Sequence, residues 1–222
     1  RVYNTIKLYA KQRKLIDLVA GQMQEKEKNN QIMVNILSHI VECRNGESGQ
    51  HVRNIGILTK ILLKKLMQKT DRYQMTWGDL NRIALASALH DIGKMAIDND
   101  ILEKPDKLTD EEFSKMKNHA GYTYLILSNI NDFEDIRDWA AFHHEKLNGK
   151  GYPFGKTAAE LNEPERIMAC IDIYQALTES RPYKQGFSHE KTCDILDDMA
   201  DKGFIDAGIV QKIRVCFQNT TI

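Results

Sequence analysis

Apolar residues recur at helical spacing along almost the whole chain, and the strict alternation typical of strands is nearly absent. Thr76 with Asp79 and Thr109 with Glu112 are capping signals, and Pro164 fits the first position of a helix. The pattern predicts helices over residues 50–69, 78–91, 110–118, 120–130, 133–144, 164–179, 189–201 and 207–217. We therefore predict an all-α fold, a multi-helix bundle with an N-terminal helical arm.

The arm, residues 1–45, contains no proline and a single glycine, Gly21. Its apolar residues fit a heptad seam that Arg13, Glu27 and Asn30 interrupt. The seam consists of Val2, Ile6, Tyr9, Ile16, Ala20, Met23, Val34, Leu37 and Val41. We interpret residues 1–35 as a parallel coiled coil from an upstream sensory domain to a domain over residues 36–222. A homodimer through residues 1–45 would follow, whereas the alternative is one amphipathic helix that packs on its own domain.

Composition narrows the class of protein. The chain has 222 residues, a formal net charge of zero and four cysteines. Without a basic surface, a nucleic-acid polymer is not an expected partner. No apolar run reaches membrane-spanning length, no signal peptide is visible, and no CxxC motif occurs. These features predict a cytoplasmic protein with free thiols, and the start at Arg1 inside a predicted helix suggests a part of a longer protein.

Five of the seven histidines, together with two aspartates, form the set that a metal site needs. The histidines and their companions are His51, the pair His90-Asp91, His119, the pair His143-His144 and Asp172, which stands alone in an apolar helix. Imidazole and carboxylate without thiolate suit hard to borderline metals in hydrolytic or oxygen-handling sites, whereas a structural zinc site usually includes cysteine. A buried carboxylate such as Asp172 needs a cation or hydrogen-bond donors.

Three stretches then resemble a known family. Residues 89–119, which begin LHDIGK, residues 143–155, HHEKLNGKGYPFG, and residues 171–184, IDIYQALTESRPYK, resemble the HD-GYP phosphodiesterases. These bacterial enzymes of the HD superfamily open cyclic dinucleotides. The resemblance covers residues 36–217, and the three motifs occur in order at family-like spacing.

The resemblance implies a complete set of site residues. Its metal ligands fall on Glu47, His51, His90, Asp91, His119, His143, His144 and Asp172. Its catalytic residues fall on Asp91 and Lys94, and its substrate contacts on Lys94, Gly151, Tyr152, Arg181 and Lys184. The cofactors would be two or three divalent metal ions, with iron or manganese suited to these donors. Simpler interpretations stay open: Lys94 as a solvated lysine, the glycine-rich loop as an ordinary turn, and Arg181 as the partner of a carboxylate.

The resemblance further implies hydrolysis of cyclic di-GMP to linear pGpG, GMP or both, by a hydroxide that bridges two cations. Alternatives are a 3′,3′-cyclic GMP-AMP phosphodiesterase, an inactive receptor that signals through the arm, and a one-metal nucleotidase. Asn148 and Gln175 stand where the family commonly has aspartate, and Lys202–Asp206 departs from the usual turn. Gln175 could alter a hydrogen bond to a ligand histidine, a loss that can cost about 10–100-fold in activity or affinity, so a slow enzyme is one expectation.

Overall fold

The computed structural model describes residues 11–22, 24–25, 28, 32, 50–69, 76–180 and 185–218. The chain divides into two compact units, Arg1–Ile36 and Leu37–Ile222. In the first unit, residues 11–22 are helical, and Leu15, Ile16 and Leu18 are exposed. Most of the heptad seam lies outside the described residues. The coiled coil and the dimer therefore stay predictions.

The regular elements in the described part of the second unit are all helices, and the only β pairing there is an isolated bridge between Asn148 and Thr157. Its elements, in chain order, are α1 (Gln50–Lys69), α2 (Trp77–Leu89), a 3-10 segment (Ile92–Ala96), α3 (Asn99–Leu102), α4 (Asp110–Leu127), α5 (Glu134–Ala141), α6 (Glu163–Thr178), α7 (His189–Asp201) and α8 (Ala207–Cys216). The predicted all-α class is confirmed.

Capping explains where several helices begin. The Thr76 hydroxyl accepts the Asp79 N–H of α2, and the Asp79 carboxylate accepts the Thr76 N–H. Thr109 and Glu112 form the same reciprocal box at α4. Each box satisfies two backbone donors that a helix end leaves unpaired. The sequence therefore located these two starts correctly.

Three sequence predictions about helix ends were wrong. The two helices expected over 110–118 and 120–130 are one continuous helix, α4, because no proline interrupts this stretch and His119 packs inside the bundle. Helix α5 ends at Ala141, so the pair His143-His144 lies beyond its last turn. The helix expected over 78–91 ends at Leu89, and the chain continues through the 3-10 segment that contains Gly93.

Helix α6 lies at the centre of the second unit, in contact with α1, α2, α5, α7 and α8. Its Ile167, Met168 and Ile171 are fully buried, as are Leu58 and Leu62 of α1. Burial of each such side chain contributes about 1.5–3 kcal/mol. The core thus fixes α6, and with it Asp172, against the helices that carry the histidines.

Candidate metal centre

Four separate elements bring their chemistry-bearing side chains to one place. His90 caps the C-terminus of α2, and Asp91 leads into the 3-10 segment that carries Lys94. His119 lies within α4, the pair His143-His144 follows α5, and Asp172 lies within α6. Because α5 has already ended, both rings of the pair can turn toward the same point. The rings of His143 and His144 have centroids 4.0 Å apart.

Short distances join these side chains into one cluster. The His90 Nε2 lies 3.3 Å from an Asp91 carboxylate oxygen and 3.5 Å from one of Asp172. The His119 Nε2 lies 3.4 Å from the other Asp91 oxygen and 3.3 Å from the His143 Nε2. The Asp91 carboxylate therefore lies between two histidines that come from different helices.

Three of the rings share one mode of orientation, a hydrogen bond from Nδ1 to the carbonyl oxygen three residues earlier. The bonds run from His90 to Ser87 at 2.8 Å, from His119 to Met116 at 2.7 Å and from His143 to Ala140 at 2.6 Å. A carbonyl oxygen can only accept, so each Nδ1 carries a proton and a neutral ring keeps its Nε2 lone pair for a ligand. This is how metal-binding histidines are usually held.

Burial sets the protonation of these rings. It lowers the pKa of His119, lowers that of His143 well below its ordinary value, and lowers that of His144 to about 4. Burial acts the same way on His90, but the neighbouring Asp91 outweighs it and the pKa of His90 lies well above the ordinary value. Three rings are therefore neutral at neutral pH, as metal ligands must be.

The carboxylates, in contrast, stay ionised. Burial opposes ionisation of Asp91, but Lys94 and His90 outweigh it and hold the pKa well below its usual range. Burial likewise opposes ionisation of Asp172, and the hydrogen bond and charge of His90 outweigh it. Two largely buried anions favour a proton on His90, and a bound cation would supply the positive charge that they require.

The donors fit a divalent metal. Two groups of three residues, His119-His143-His144 and His90-Asp91-His143, each offer ligand atoms within 4.8 Å of one another. His143 belongs to both groups. Nitrogen and carboxylate oxygen without thiolate match the hard to borderline metals inferred from the sequence. Within the part of the chain described here, the cluster can hold a divalent cation.

The glycine-rich loop covers this cluster. A Cβ on Gly151 would lie 2.5 Å from the Glu145 Cα, so only glycine allows the loop to approach so closely. The Tyr152 N–H donates to the His144 carbonyl oxygen at 3.2 Å, and its ring centroid lies 4.7 Å from that of His144. Burial raises the pKa of Tyr152, and the nearby Asp172 adds to the effect. The phenol is therefore protonated and forms a wall of the site.

A hydroxyl that sequence reasoning missed joins two parts of the site. The Thr123 Oγ1 accepts the Gly93 N–H at 3.0 Å and donates to the His90 carbonyl at 2.9 Å. A Cβ on Gly93 would lie 1.9 Å from the His119 carbonyl oxygen, so the 3-10 segment rests directly on the backbone of α4. A threonine four residues after His119 in the same helix gives no sign of this role in the sequence.

Four of the residues implied by the resemblance are not among the described side chains. Glu47, Arg181 and Lys184 lie outside the described residues, and His51 belongs to α1 without a described side chain. Their roles stay predictions.

The three departures from the family pattern all lie within the described residues. Asn148 is exposed, and its side-chain oxygen accepts the Lys150 N–H at 3.1 Å. Gln175 is buried in α6. In the segment Lys202–Asp206, Gly203 has φ +69° and the Phe204 N–H donates to the Met199 carbonyl, so a tight turn still forms there.

Comparisons with known proteins show which family the chain is similar to. The family model described as HD domain matches residues 17–209. The chain is 34% identical over 182 residues to a protein named probable cyclic di-GMP phosphodiesterase from Vibrio cholerae, with 78% of this chain and 41% of the relative covered. It is 33% identical over 168 residues to the 3′3′-cGAMP-specific phosphodiesterase 3 of the same organism, with 75% and 35% covered. The chain thus spans less than half the length of these two relatives.

A solved structure shares the fold. The HDG"Y"P protein Bd1817 from Bdellovibrio bacteriovorus superposes with a TM-score of 0.58 at 17% identity, over 76% of this chain and 52% of that one. At this identity the likeness concerns the fold alone. The family model and the relatives agree with the resemblance inferred from the three motifs, and they show that the chain belongs to the HD domain family.

Proposed function

We propose that this chain is a metal-dependent phosphodiesterase that opens cyclic di-GMP to linear pGpG, GMP or both. The observation that carries the proposal is the pair of three-ligand groups that share His143, with the Lys94 ammonium 2.8 Å from the Asp91 carboxylate beside them. Relatives named as cyclic di-GMP phosphodiesterases support the substrate class.

The proposed ligands are the six residues of the cluster together with Glu47 and His51, namely Glu47, His51, His90, Asp91, His119, His143, His144 and Asp172. Divalent cations held there would supply a nucleophile from water at neutral pH and neutralise charge on the phosphate. We propose two cations, and a third if Glu47, four residues before His51 in the sequence, also binds. Iron or manganese suits this donor set.

The chain's own residues bind and orient the substrate. Lys94 and Asp91 each have about a fifth of their side chain exposed, so the ion pair holds the ammonium at the edge of the cluster. From there Lys94 can bind a non-bridging phosphate oxygen or protonate the departing 3′ oxygen. Tyr152 can stack on a purine, and Gly151 lets the loop lie close enough for it to do so.

Two further substrate contacts rest on the resemblance. The guanidinium of Arg181 suits a two-point grip on phosphate or a guanine edge, and Lys184 would add a second cation. Both follow α6, which carries Asp172.

A second candidate substrate is 3′,3′-cyclic GMP-AMP, which is favoured by relatives that carry this substrate in their names. The receptor alternative, a chain that binds the nucleotide and does not hydrolyse it, depends on Gln175 in place of the family's usual aspartate. The one-metal nucleotidase is disfavoured, since His119, His143 and His144 form a three-ligand group of their own.

We also propose a homodimer through residues 1–45 and a cytoplasmic location. The exposed Leu15, Ile16 and Leu18 support a partner along the arm. The buried thiols Cys170 and Cys193 support a reducing compartment. Among the described residues, no helix combines the length and the apolar character that a membrane crossing requires.

The test is anaerobic purification, followed by metal analysis and turnover of both cyclic dinucleotides on one sample, with Asp91→Ala as the control. We expect two or more metals per chain and turnover that the control loses. Full metal content with tight nucleotide binding and no turnover would favour the receptor. One metal without nucleotide binding would refute both.

A further inference from the structure

Glu145 is a buried carboxylate that neither the metal ligands nor the substrate contacts above include. It follows His144 directly in the chain, and only 3% of its surface is exposed. A buried carboxylate is costly unless donors surround it, so its partners indicate what it does.

Among the described residues, the Glu145 carboxylate accepts three hydrogen bonds, and all of them come from one stretch of backbone. One oxygen accepts the Phe154 N–H at 2.7 Å and the Gly155 N–H at 3.1 Å, and the other accepts the Lys156 N–H at 2.9 Å. These three amides form the return of the glycine-rich loop, immediately after Tyr152 and Pro153. The bonds are charge-assisted, which makes them roughly twice as strong as neutral ones.

The outgoing side of the same loop also rests on Glu145. Gly151 packs against the Glu145 Cα, where a Cβ would lie 2.5 Å away. The Tyr152 N–H then binds the His144 carbonyl at 3.2 Å. His144 and Glu145 therefore hold the loop on both sides of Tyr152.

We propose that Glu145 is a positioning residue that sets where Tyr152 lies over the metal centre by fixing the return of the glycine-rich loop. This inference rests on the proposed function, in which Tyr152 contacts a cyclic dinucleotide. Glu145 acts through the loop, so its loss changes substrate binding and leaves metal loading unchanged.

The variant Glu145→Gln tests the role, because an amide has one acceptor oxygen and turns an NH₂ group toward at least one of the three donors. Glu145→Asp keeps the charge on a shorter side chain and serves as a second variant if the first fails to fold. Glu160→Gln is the matched control: Glu160 also accepts a backbone N–H, from Thr157 at 2.9 Å, but it is exposed and lies beyond the loop return.

Three quantities are measured on the metal-loaded chain. Hydrogen exchange followed by mass spectrometry reports the amides of residues 154–156. Metal analysis reports loading, and kcat and KM are obtained for cyclic di-GMP. We expect Glu145→Gln to speed exchange of these amides, to keep the metal content and to lower kcat/KM by about 10-fold or more, mainly through KM. Glu160→Gln should match the wild type in all three.

A double-mutant cycle with Tyr152→Ala separates positioning from general damage. If Glu145 acts through Tyr152, Glu145→Gln lowers kcat/KM by less than about 2-fold once the ring is gone. An equal loss in both backgrounds, unchanged amide exchange, or loss of metal would overturn the proposal. If the wild type hydrolyses neither dinucleotide, the proposed function fails. The role of Glu145 is then decided by amide hydrogen exchange and by calorimetric dinucleotide affinity, both measured in the same double-mutant cycle.

Discussion

The hydroxyl of Thr123 offers a sharp test of how the site is assembled, because valine replaces threonine at nearly constant volume. Thr123→Val leaves the buried Gly93 N–H and the His90 carbonyl without the partner they have at 3.0 and 2.9 Å. Each buried polar group left unpaired costs about 1–3 kcal/mol. We expect each of the two groups to cost an amount in the lower half of that range, so the free energy of unfolding should fall by about 2–4 kcal/mol in total.

Thr123→Ser is the matched control, because it keeps the hydroxyl and removes one methyl group, worth about 1 kcal/mol. The assay is urea unfolding of metal-free protein, since a bound metal would add its own stabilisation. For a unit of this size, each kcal/mol lost from the free energy of unfolding lowers Tm by about 2–4 °C. The reasoning is refuted if the valine variant is as stable as the serine variant, or more stable.

Three further predictions follow from the same contacts. Gly93→Ala should abolish metal loading or folding, because its Cβ would lie 1.9 Å from the His119 carbonyl oxygen; wild-type metal content would contradict this. Burial raises the pKa of Glu165 to about 6, so this group favours folding below its ordinary pKa and loses that contribution as pH rises through 6. The free energy of unfolding of Glu165→Gln, relative to that of the wild type, should therefore rise by about 1–2 kcal/mol between pH 4.5 and 7. Urea unfolding that gives the two proteins the same dependence on pH would contradict this. Chelation should lower Tm, by the equivalent of about 2.7 kcal/mol for a metal at 100 times its Kd, whereas an unchanged Tm would contradict a metal centre.

Capping signals in the sequence predicted two helix starts correctly, but several predicted helix ends were wrong. The Thr76 and Thr109 boxes lie where the sequence predicts them, because a cap involves only residues three positions apart. The expected break between residues 118 and 120 is absent, since His119 packs into the bundle and the helix continues through it. The end of α5 at Ala141 is set by the turn of the chain toward the site, which periodicity does not reveal.

The sequence by itself determined the all-α class, the family and the identity of the histidines and aspartates that gather at the centre, because periodicity, motif spacing and donor chemistry are all written in residue order. Only the tertiary structure decided that Asp91 lies between His90 and His119, that His143 is shared by two groups, and that Thr123 and Glu145 hold the site together. These relations join backbone and side-chain atoms from different helices and loops. They exist only after α6 and its neighbours have packed, so no local pattern can encode them.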